Sequence, residues 1–301
     1  MISVNGLRKS YGDFEAVRGI DLEVEPGEIF AFLGPNGAGK TTTVEILEGY
    51  RERSGGEVTV LGQDPGAADR AWRARVGIVL QECRMEPVLT VRETLELWAG
   101  YYPNPRPVDE TLKLVGLAHK ADDRAGHLSG GQQRRLDVGL ALIGDPELLF
   151  LDEPTTGFDP AARRQFWDVI ANLRDLGKTV FLTTHYMEEA QALADRVAVI
   201  AKGRIVAVGT PDDLGGRAEE EATVRFRLPA DMPPAELPAD VGAAAVEQNG
   251  QLVLRDGDVV RLLNSLTGWA LERGVELDGL EVTRPTLEEV YLRLVGEEGR
   301  A

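Results

Sequence analysis

The chain has 301 residues, of which 43% are hydrophobic and 28% charged, as is typical of a globular protein with one large core or two modest ones. Its formal net charge of −17 argues against a general affinity for nucleic acid or anionic lipid, because both bind through lysine and arginine. The single cysteine, Cys83, excludes an intrachain disulfide framework and suits a reducing compartment.

No part of the sequence has the pattern of a secretion signal or of a membrane span. Residues 1–6 begin no apolar stretch of the kind found in signal peptides. The apolar runs 148–151 and 197–200 are far shorter than the roughly 20 residues needed to cross a bilayer. We therefore expect no direct membrane insertion, and we expect any membrane role to depend on a partner.

The octet from Gly34 to Thr41 matches the phosphate-binding pattern G-x-x-x-x-G-K-[ST] at every fixed position. Residues 28–33 before it predict a buried strand, and residues 42–47 after it predict a helix. Glycines allow the backbone N–H groups to face phosphate oxygens, and the helix N-terminus adds a favourable dipole. A chance Gly-rich turn is the alternative, and the flanking strand and helix make it the weaker one.

This loop predicts a site for a nucleoside triphosphate. Lys40 is expected to reach the β- and γ-phosphates, and the Thr41 hydroxyl is expected to bind Mg²⁺. The predicted nucleotide-binding residues of the loop are Gly34, Pro35, Asn36, Gly37, Ala38, Gly39, Lys40, Thr41 and Thr42.

Strand-like and helical stretches alternate as far as about Leu214, as expected for a parallel α/β fold. A short helix with a threonine cap and proline at its first position is predicted at 210–214. Strands are predicted at 76–80, 148–151, 179–182 and 196–200, and helices at 91–101, 130–143, 161–176 and 187–194.

The sequence pattern changes after the polar stretch 215–221. Strands are predicted at 223–228, 251–254 and 275–282, and helices at 259–272 and 286–294. We interpret residues 1–215 as an α/β domain and residues 222–296 as a small α+β accessory domain. The alternative is that the second segment only extends the main core.

The sequence Leu-Ser-Gly-Gly-Gln from Leu128 to Gln132 resembles the signature of the nucleotide-binding subunits of ATP-binding cassette (ABC) transporters. Alone, it would predict an ordinary helix capped by Ser129, with N–H groups exposed at its positive end. The other motifs occur in the order found in this family over the whole first domain. The resemblance implies an ABC nucleotide-binding domain of the P-loop class, with a RecA-like core and a helical subdomain, that uses ATP and Mg²⁺.

In this family, two subunits pair head to tail, and the signature of each closes on the ATP of the other. The resemblance therefore implies an ATP-bound homodimer with two competent sites. Residues implied to contact nucleotide across that dimer are Ser129, Gly130, Gly131, Gln132 and Asp159.

Two carboxylates follow the apolar run 148–151. The resemblance implies that Asp152 helps to hold Mg²⁺ and that Glu153 is the general base for the attacking water. It also implies that His185 hydrogen-bonds the γ-phosphate and that Gln81 contacts Mg²⁺ and water. Without the neighbouring motifs, paired acids after a strand are more often solvated, and a single histidine is more often structural.

Tyr11 stands where the family stacks an aromatic ring on adenine, and the alternative for this residue is a core aromatic. Near the C-terminus, residues 285–292 resemble the ending of ATPases from bacterial drug and polyketide-antibiotic exporters, including the daunorubicin-resistance type. Taken alone, the spacing of Leu287, Val290, Tyr291 and Leu294 predicts one packed helix face.

The resemblance thus implies ATP-driven export of a drug, antibiotic or other hydrophobic cargo. ATP hydrolysis would drive a separate transmembrane permease. This permease would hold the subunit at the cytoplasmic face of the membrane. We expect the permease to bind around Gln81, along residues 82–87 and the helical region after them. The substrate and the direction of transport are not encoded in these motifs.

Two alternatives remain open. A soluble ABC ATPase of translation, repair or iron–sulfur assembly is disfavoured by the single cassette, by the short gap between loop and signature, and by the accessory domain. A non-hydrolysing regulatory subunit is disfavoured because Lys40, Asp152, Glu153 and His185 are all present.

Overall fold

The computed structural model describes residues 1–80, 86–215, 221–229, 232–248 and 250–298. Its contacts divide into two compact units, one of Met1–Pro211 together with the chain from Leu294, and one of Asp212–Arg293. Among the residues described, no helix is long and apolar enough to cross a membrane.

The first unit contains nine strands and seven α-helices within its described residues. In chain order they are β1 (Ile2–Tyr11), β2 (Phe14–Val24), β3 (Ile29–Leu33), α1 (Lys40–Leu47), β4 (Gly55–Val60), α2 (Arg70–Arg73), β5 (Val76–Val79), α3 (Val91–Ala99), α4 (Val108–Leu114), α5 (Gly130–Leu142), β6 (Leu148–Asp152), α6 (Pro160–Asp175), β7 (Thr179–Thr184), α7 (Met187–Leu193), β8 (Arg196–Ala201) and β9 (Arg204–Gly209).

These strands form two sheets. The larger has the order β5-β6-β7-β3-β8-β9, with every neighbouring pair parallel except β8 and β9. The smaller is antiparallel, with the order β2-β1-β4. The predicted α/β fold is confirmed. Helices α3, α4 and α5 pack against one another.

Successive side chains of the central strands point to opposite faces of the larger sheet. Because these side chains are apolar, both faces are covered by other elements. Phe150 and Phe181 face a cluster shared with the antiparallel sheet and α1. Leu149 and Leu151 face a second cluster, built with helices α3 to α6. All four side chains are buried, so these strands form the centre of the unit.

The second unit is an antiparallel sheet with helices. Its elements are β10 (Ala222–Arg227), α8 (Ala239–Ala244), β11 (Val246–Gln248), β12 (Gln251–Asp256), α9 (Val259–Arg273), β13 (Asp278–Thr283) and the part of α10 (Leu287–Glu298) that precedes Leu294. The strand order is β11-β12-β10-β13, and Val224, Phe226, Leu254 and Leu266 share one buried cluster. On α10, Leu287, Val290 and Tyr291 are buried, and Leu294 is half-buried, as the spacing predicts.

Some predicted elements differ from those observed. Residues 211–213 form turns, and no α-helix is present at 210–214. The strand predicted at 275–282 starts only at Asp278, and its side chains are mostly exposed at a sheet edge. Strands β1, β2, β4 and β9 were not predicted from the sequence. In β1, shifts of register interrupt the two-residue alternation on which such a prediction depends.

The Phe181 ring is the centre of the aromatic core. Its centroid lies 5.6 Å from Phe30, 5.6 Å from Phe32 and 5.5 Å from Phe150. We expect Phe181→Ala to lower the free energy of unfolding by about 3–5 kcal/mol, because it removes a buried ring and leaves a cavity. Urea unfolding measures this loss. Phe14→Ala, at an exposed site of β2, is the matched control and should lose less than about 1 kcal/mol.

Candidate nucleotide site

The candidate site lies where three parallel strands end together. Leu33 of β3 pairs with Thr184 of β7, and Asp152 of β6 pairs with Thr183. Each strand is followed by a segment that carries predicted site residues. Parallel pairing therefore brings the phosphate loop, the two carboxylates and the histidine segment to one edge of the sheet.

Close packing fixes the two ends of the phosphate loop. A Cβ on Gly34 would lie 2.5 Å from the carbonyl oxygen of Ile200, and one on Gly39 would lie 2.6 Å from that of Ala16. Gly39 also has φ 106, a left-handed conformation that disfavours other residues. Gly37, at φ 78, has open space on its Cβ side. The loop is thus anchored at both ends and open at its centre.

Helix α1 begins directly after this loop and lacks a side-chain cap, because its N-cap residue is Gly39. By contrast, Ser129 caps α5 and Asp159 caps α6. The first N–H groups of α1 are therefore left for other acceptors. An open loop before an uncapped helix N-terminus fits the phosphate chain of a nucleotide.

Lys40 lies inside the loop, with only 7% of its surface exposed. Its Nζ donates to the carbonyl oxygens of Gly34 at 2.6 Å and Pro35 at 3.3 Å. Burial lowers the pKa of Lys40, while the charges of Glu153 and Asp152 act in the opposite direction. Lys40 is thus held near two acidic residues, in the segment predicted to bind the phosphates.

Thr183 contacts the side chain of Asp152 and the backbone of Glu153, and these contacts were not predicted from the sequence. Its hydroxyl donates to Oδ1 of Asp152. The backbone N–H of Glu153 donates to Oγ1 of Thr183 at 3.0 Å and to its carbonyl oxygen at 3.1 Å. The pairing of β6 with β7 thus sets the position of both acids.

Glu153 has φ 42, a left-handed conformation that costs a non-glycine residue about 1–2 kcal/mol. Its Oε2 accepts from the Thr156 hydroxyl at 3.2 Å and lies 3.3 Å from Nδ1 of His185. The side chain of Glu153 is largely buried, whereas that of His185 is partly exposed. Glu153 and His185, far apart in sequence, are thus brought into contact.

The signature residues lie on a different element. Ser129 and Gln132 form a capping box at the start of α5, with Oγ of Ser129 accepting from the Gln132 N–H at 3.4 Å. Asp159 accepts from the N–H groups of Ala161 and Ala162, each at 2.9 Å. In the single chain, both motifs are therefore seen in helix-capping roles.

Tyr11 is 42% exposed at the end of β1, so it is not a core aromatic. Lys9 Nζ and Arg51 Cζ lie 5.2 Å and 5.4 Å from the centre of its ring. The ring is therefore accessible to solvent, with two cationic side chains close to it. Gln81 and residues 82–85, also predicted in the site or its surroundings, lie outside the described residues.

Glu48 follows α1 and is a buried acid that the sequence analysis did not identify. Only 6% of its surface is exposed, and among the described residues Oε1 has no hydrogen-bond partner. Burial raises the pKa of Glu48 to about 8, with smaller contributions from the negative charges of Asp152 and Glu45. Burial therefore favours the protonated, neutral form of this carboxyl group.

The strand, the Gly-rich loop, the uncapped helix and the adjacent carboxylates define a nucleotide-binding ATPase of the P-loop class. Comparison with known proteins is consistent with this. Residues 17–156 match the ABC transporter family, and residues 222–286 match the family of ABC transporter domain-containing protein-like C-terminal domains.

Curated relatives match nearly the whole chain. The daunorubicin resistance ATP-binding protein DrrA3 of Streptomyces coeruleorubidus is 37% identical over 306 residues, covering 99% of this chain and 97% of the relative. The Nod factor export ATP-binding protein I of Rhizobium sp. (strain N33) is 40% identical over 307 residues, covering 99% and 97%.

Among solved structures, a dimeric ATP-binding cassette in a post-hydrolysis state, bound to ADP and Pi, matches with a TM-score of 0.61. It is 26% identical and covers 70% of this chain and 98% of its own. The chain belongs to the family of ABC transporter ATP-binding proteins, whose ATP hydrolysis is coupled to transport.

The raised pKa of Glu48 predicts a pH-dependent stability. Between the unfolded-state pKa of 4.5 and the folded value of about 8, the folded state keeps a proton that the unfolded state loses. The contribution of Glu48 to the free energy of unfolding is therefore fully present at low pH. It is lost as the pH rises, by up to about 1.4 kcal/mol per pH unit.

Urea unfolding at about pH 5.5 and about pH 7.5 tests this, with Glu48→Gln beside the wild type. The free energy of unfolding of Glu48→Gln, minus that of the wild type, should be about 2 kcal/mol larger at the higher pH than at the lower pH. Glu52→Gln, at an exposed site nearby, should show no such change. A constant difference between Glu48→Gln and the wild type would contradict the assignment.

Proposed function

We propose that this chain is the ATP-hydrolysing subunit of an exporter, and that it drives a drug, antibiotic or other hydrophobic cargo through a separate membrane permease. The observation that carries the hydrolytic part is the grouping of Lys40, Asp152, Glu153 and His185 at one sheet edge. The export part is supported by relatives named for daunorubicin resistance and Nod factor export, which match nearly the whole chain.

The phosphate loop, Gly34–Thr42, is proposed to hold the phosphates of ATP through its N–H groups and Lys40. Mg²⁺ would be bound by Thr41, Asp152 and Gln81. No cluster of three metal-ligating His, Cys, Asp or Glu side chains occurs in the described part of the chain. A site with one carboxylate and a hydroxyl suits Mg²⁺, which usually binds through few carboxylates together with substrate phosphates.

Glu153 is proposed to accept the proton of the attacking water as general base. A base needs to lie within hydrogen-bond reach of that water, and the left-handed turn places Glu153 just beyond the strand end beside Lys40. His185, 3.3 Å from Glu153, is proposed to hydrogen-bond the γ-phosphate. Catalysis would come mainly from positioning and charge stabilisation, as is general for phosphoryl transfer. Tyr11 would stack on the adenine.

Hydrolysis is proposed to occur in a head-to-tail homodimer, in which Ser129, Gly130, Gly131, Gln132 and Asp159 contact the nucleotide of the other copy. The dimeric cassette among the similar solved structures supports the formation of a dimer. Residues 1–215 would form the nucleotide-binding domain, and residues 222–296 the accessory domain. The match of a separate C-terminal family to residues 222–286 supports this division.

The permease is proposed to bind a cleft beside the edge strand β5. The cleft has a volume of about 440 Å³, and its lining includes Leu80, Tyr50, Trp98 and Tyr102. The buried Glu48 also lines it. Tyr50 is 71% exposed and Trp98 is 42% exposed. Exposed aromatic side chains around a cleft are typical of protein interfaces.

This cleft adjoins the surface predicted from the sequence, since Leu80 precedes residues 82–87, of which 82–85 lie outside the described residues. Binding there would hold the subunit at the cytoplasmic face of the membrane. A soluble ABC ATPase is the less favoured alternative, because the full-length relatives are named resistance and export proteins.

Trp98→Ala tests the docking cleft. We expect ATPase turnover of the purified variant to stay within about twofold of wild type, because Trp98 lies outside the nucleotide site. In inside-out membrane vesicles from the source cells, ATP-driven uptake of daunorubicin, used as the probe, should fall at least about fivefold.

Leu176→Ala, at an exposed site on the loop after α6, is the control and should transport normally. Normal uptake with Trp98→Ala, or loss of ATPase activity, would contradict the docking proposal. Absence of ATP-driven daunorubicin uptake in wild-type vesicles would contradict a cargo of that class.

A further inference from the structure

Arg134 lies in the second turn of α5, the helix that starts at the signature, and only 7% of its surface is exposed. Its guanidinium group is planar, stays charged and carries five N–H donors in a fixed arrangement. A buried cation without acceptors would cost several kcal/mol, so its partners indicate what it is there to hold.

Among the described residues, its partners include backbone carbonyl groups at or directly after the ends of two strands. Nε of Arg134 donates to the carbonyl oxygen of Pro154 at 3.1 Å, and Nη2 donates to that of Asp152 at 2.7 Å. Nη1 donates to the carbonyl oxygen of Leu80, directly after β5. Asp137, one turn further along α5, places Oδ2 3.8 Å from Nη1.

Two of these carbonyl groups belong to the residues on either side of Glu153. Glu153 itself has the left-handed φ of 42, which other contacts must hold in place. Thr183 holds its N–H group, and Arg134 holds the carbonyl groups before and after it. The strained turn that directs the carboxylate is therefore fixed from both sides.

We propose that Arg134 is a positioning residue for ATP hydrolysis, which holds the backbone turn at Glu153 and joins it to helix α5 and to the end of β5. The proposal rests on the proposed role of Glu153 as general base. Because α5 starts at the signature, a displacement of this helix on closure of a partner copy would reach Glu153 through a rigid group. Lysine cannot replace it, since one ammonium on a flexible stem cannot span three separate carbonyl groups.

Arg134→Lys in the full-length protein is the test, because it keeps the charge and the aliphatic stem. We expect kcat to fall at least about tenfold, while KM and the Kd for fluorescent ATP stay within about threefold of wild type. Arg134→Gln, with folding of both variants checked by thermal unfolding, repeats the test if Arg134→Lys is unstable.

Arg135→Lys is the matched control on the same helix. Arg135 donates to the side-chain oxygen of Gln165 at 2.8 Å and should tolerate the change without loss of turnover. A second readout uses Glu153→Gln, in which ATP-dependent dimerisation is expected to persist. Adding Arg134→Lys to that variant should leave dimerisation intact, because Arg134 is proposed to act on the base and not on the ATP-binding surfaces.

Two results would overturn the proposal. One is turnover of Arg134→Lys and Arg134→Gln within about twofold of wild type. The other is a joint loss of turnover, ATP affinity and dimerisation, which would assign Arg134 a general structural role. If Glu153→Gln also hydrolysed ATP at the wild-type rate, the base itself would be wrongly assigned and both proposals would fail together. An inactive Glu153→Gln beside a fully active Arg134→Lys would reject only the role of Arg134.

Discussion

The parallel pairing of β3, β6 and β7 is the constraint on which the rest of the first unit depends. Leu33 pairs with Thr184, and Asp152 pairs with Thr183. The C-terminal ends of these strands therefore lie at the same edge of the larger sheet. The aromatic and aliphatic core on the two faces of the sheet keeps this register, because a shift of one residue would expose a buried face. The position of the candidate nucleotide site thus follows from the packing of the sheet core.

At that edge, opposing charges are held close together. Lys40 loses hydration inside the loop, and the charges of Asp152 and Glu153 offset part of that cost. The left-handed backbone of Glu153 is stabilised by hydrogen bonds from its own N–H group and to the neighbouring carbonyl groups. Such strain at a functional turn needs surrounding contacts to persist, and here the contacts come from β7 and α5.

The sequence was most informative where a motif fixes both residue type and spacing. The loop that starts at Gly34 and the helix capped by Ser129 were predicted within a few residues, because glycine and capping residues act locally. The hydrogen bonds of Thr183 and Arg134 depend on distances between separate strands and a helix, which no local pattern contains. Glu48 was not predicted either, because its burial depends on tertiary packing that no local sequence pattern indicates.

We propose that two copies of this chain close on ATP and that Glu153 then acts as the base for hydrolysis. The most direct measurement is the molecular mass of Glu153→Gln in solution, with and without Mg-ATP, beside the ATPase turnover of the wild type. We expect a shift from monomer to dimer only with Mg-ATP, and loss of turnover in the variant. A mass that stays monomeric, together with undiminished hydrolysis by Glu153→Gln, would contradict both the assigned base and the closed dimer.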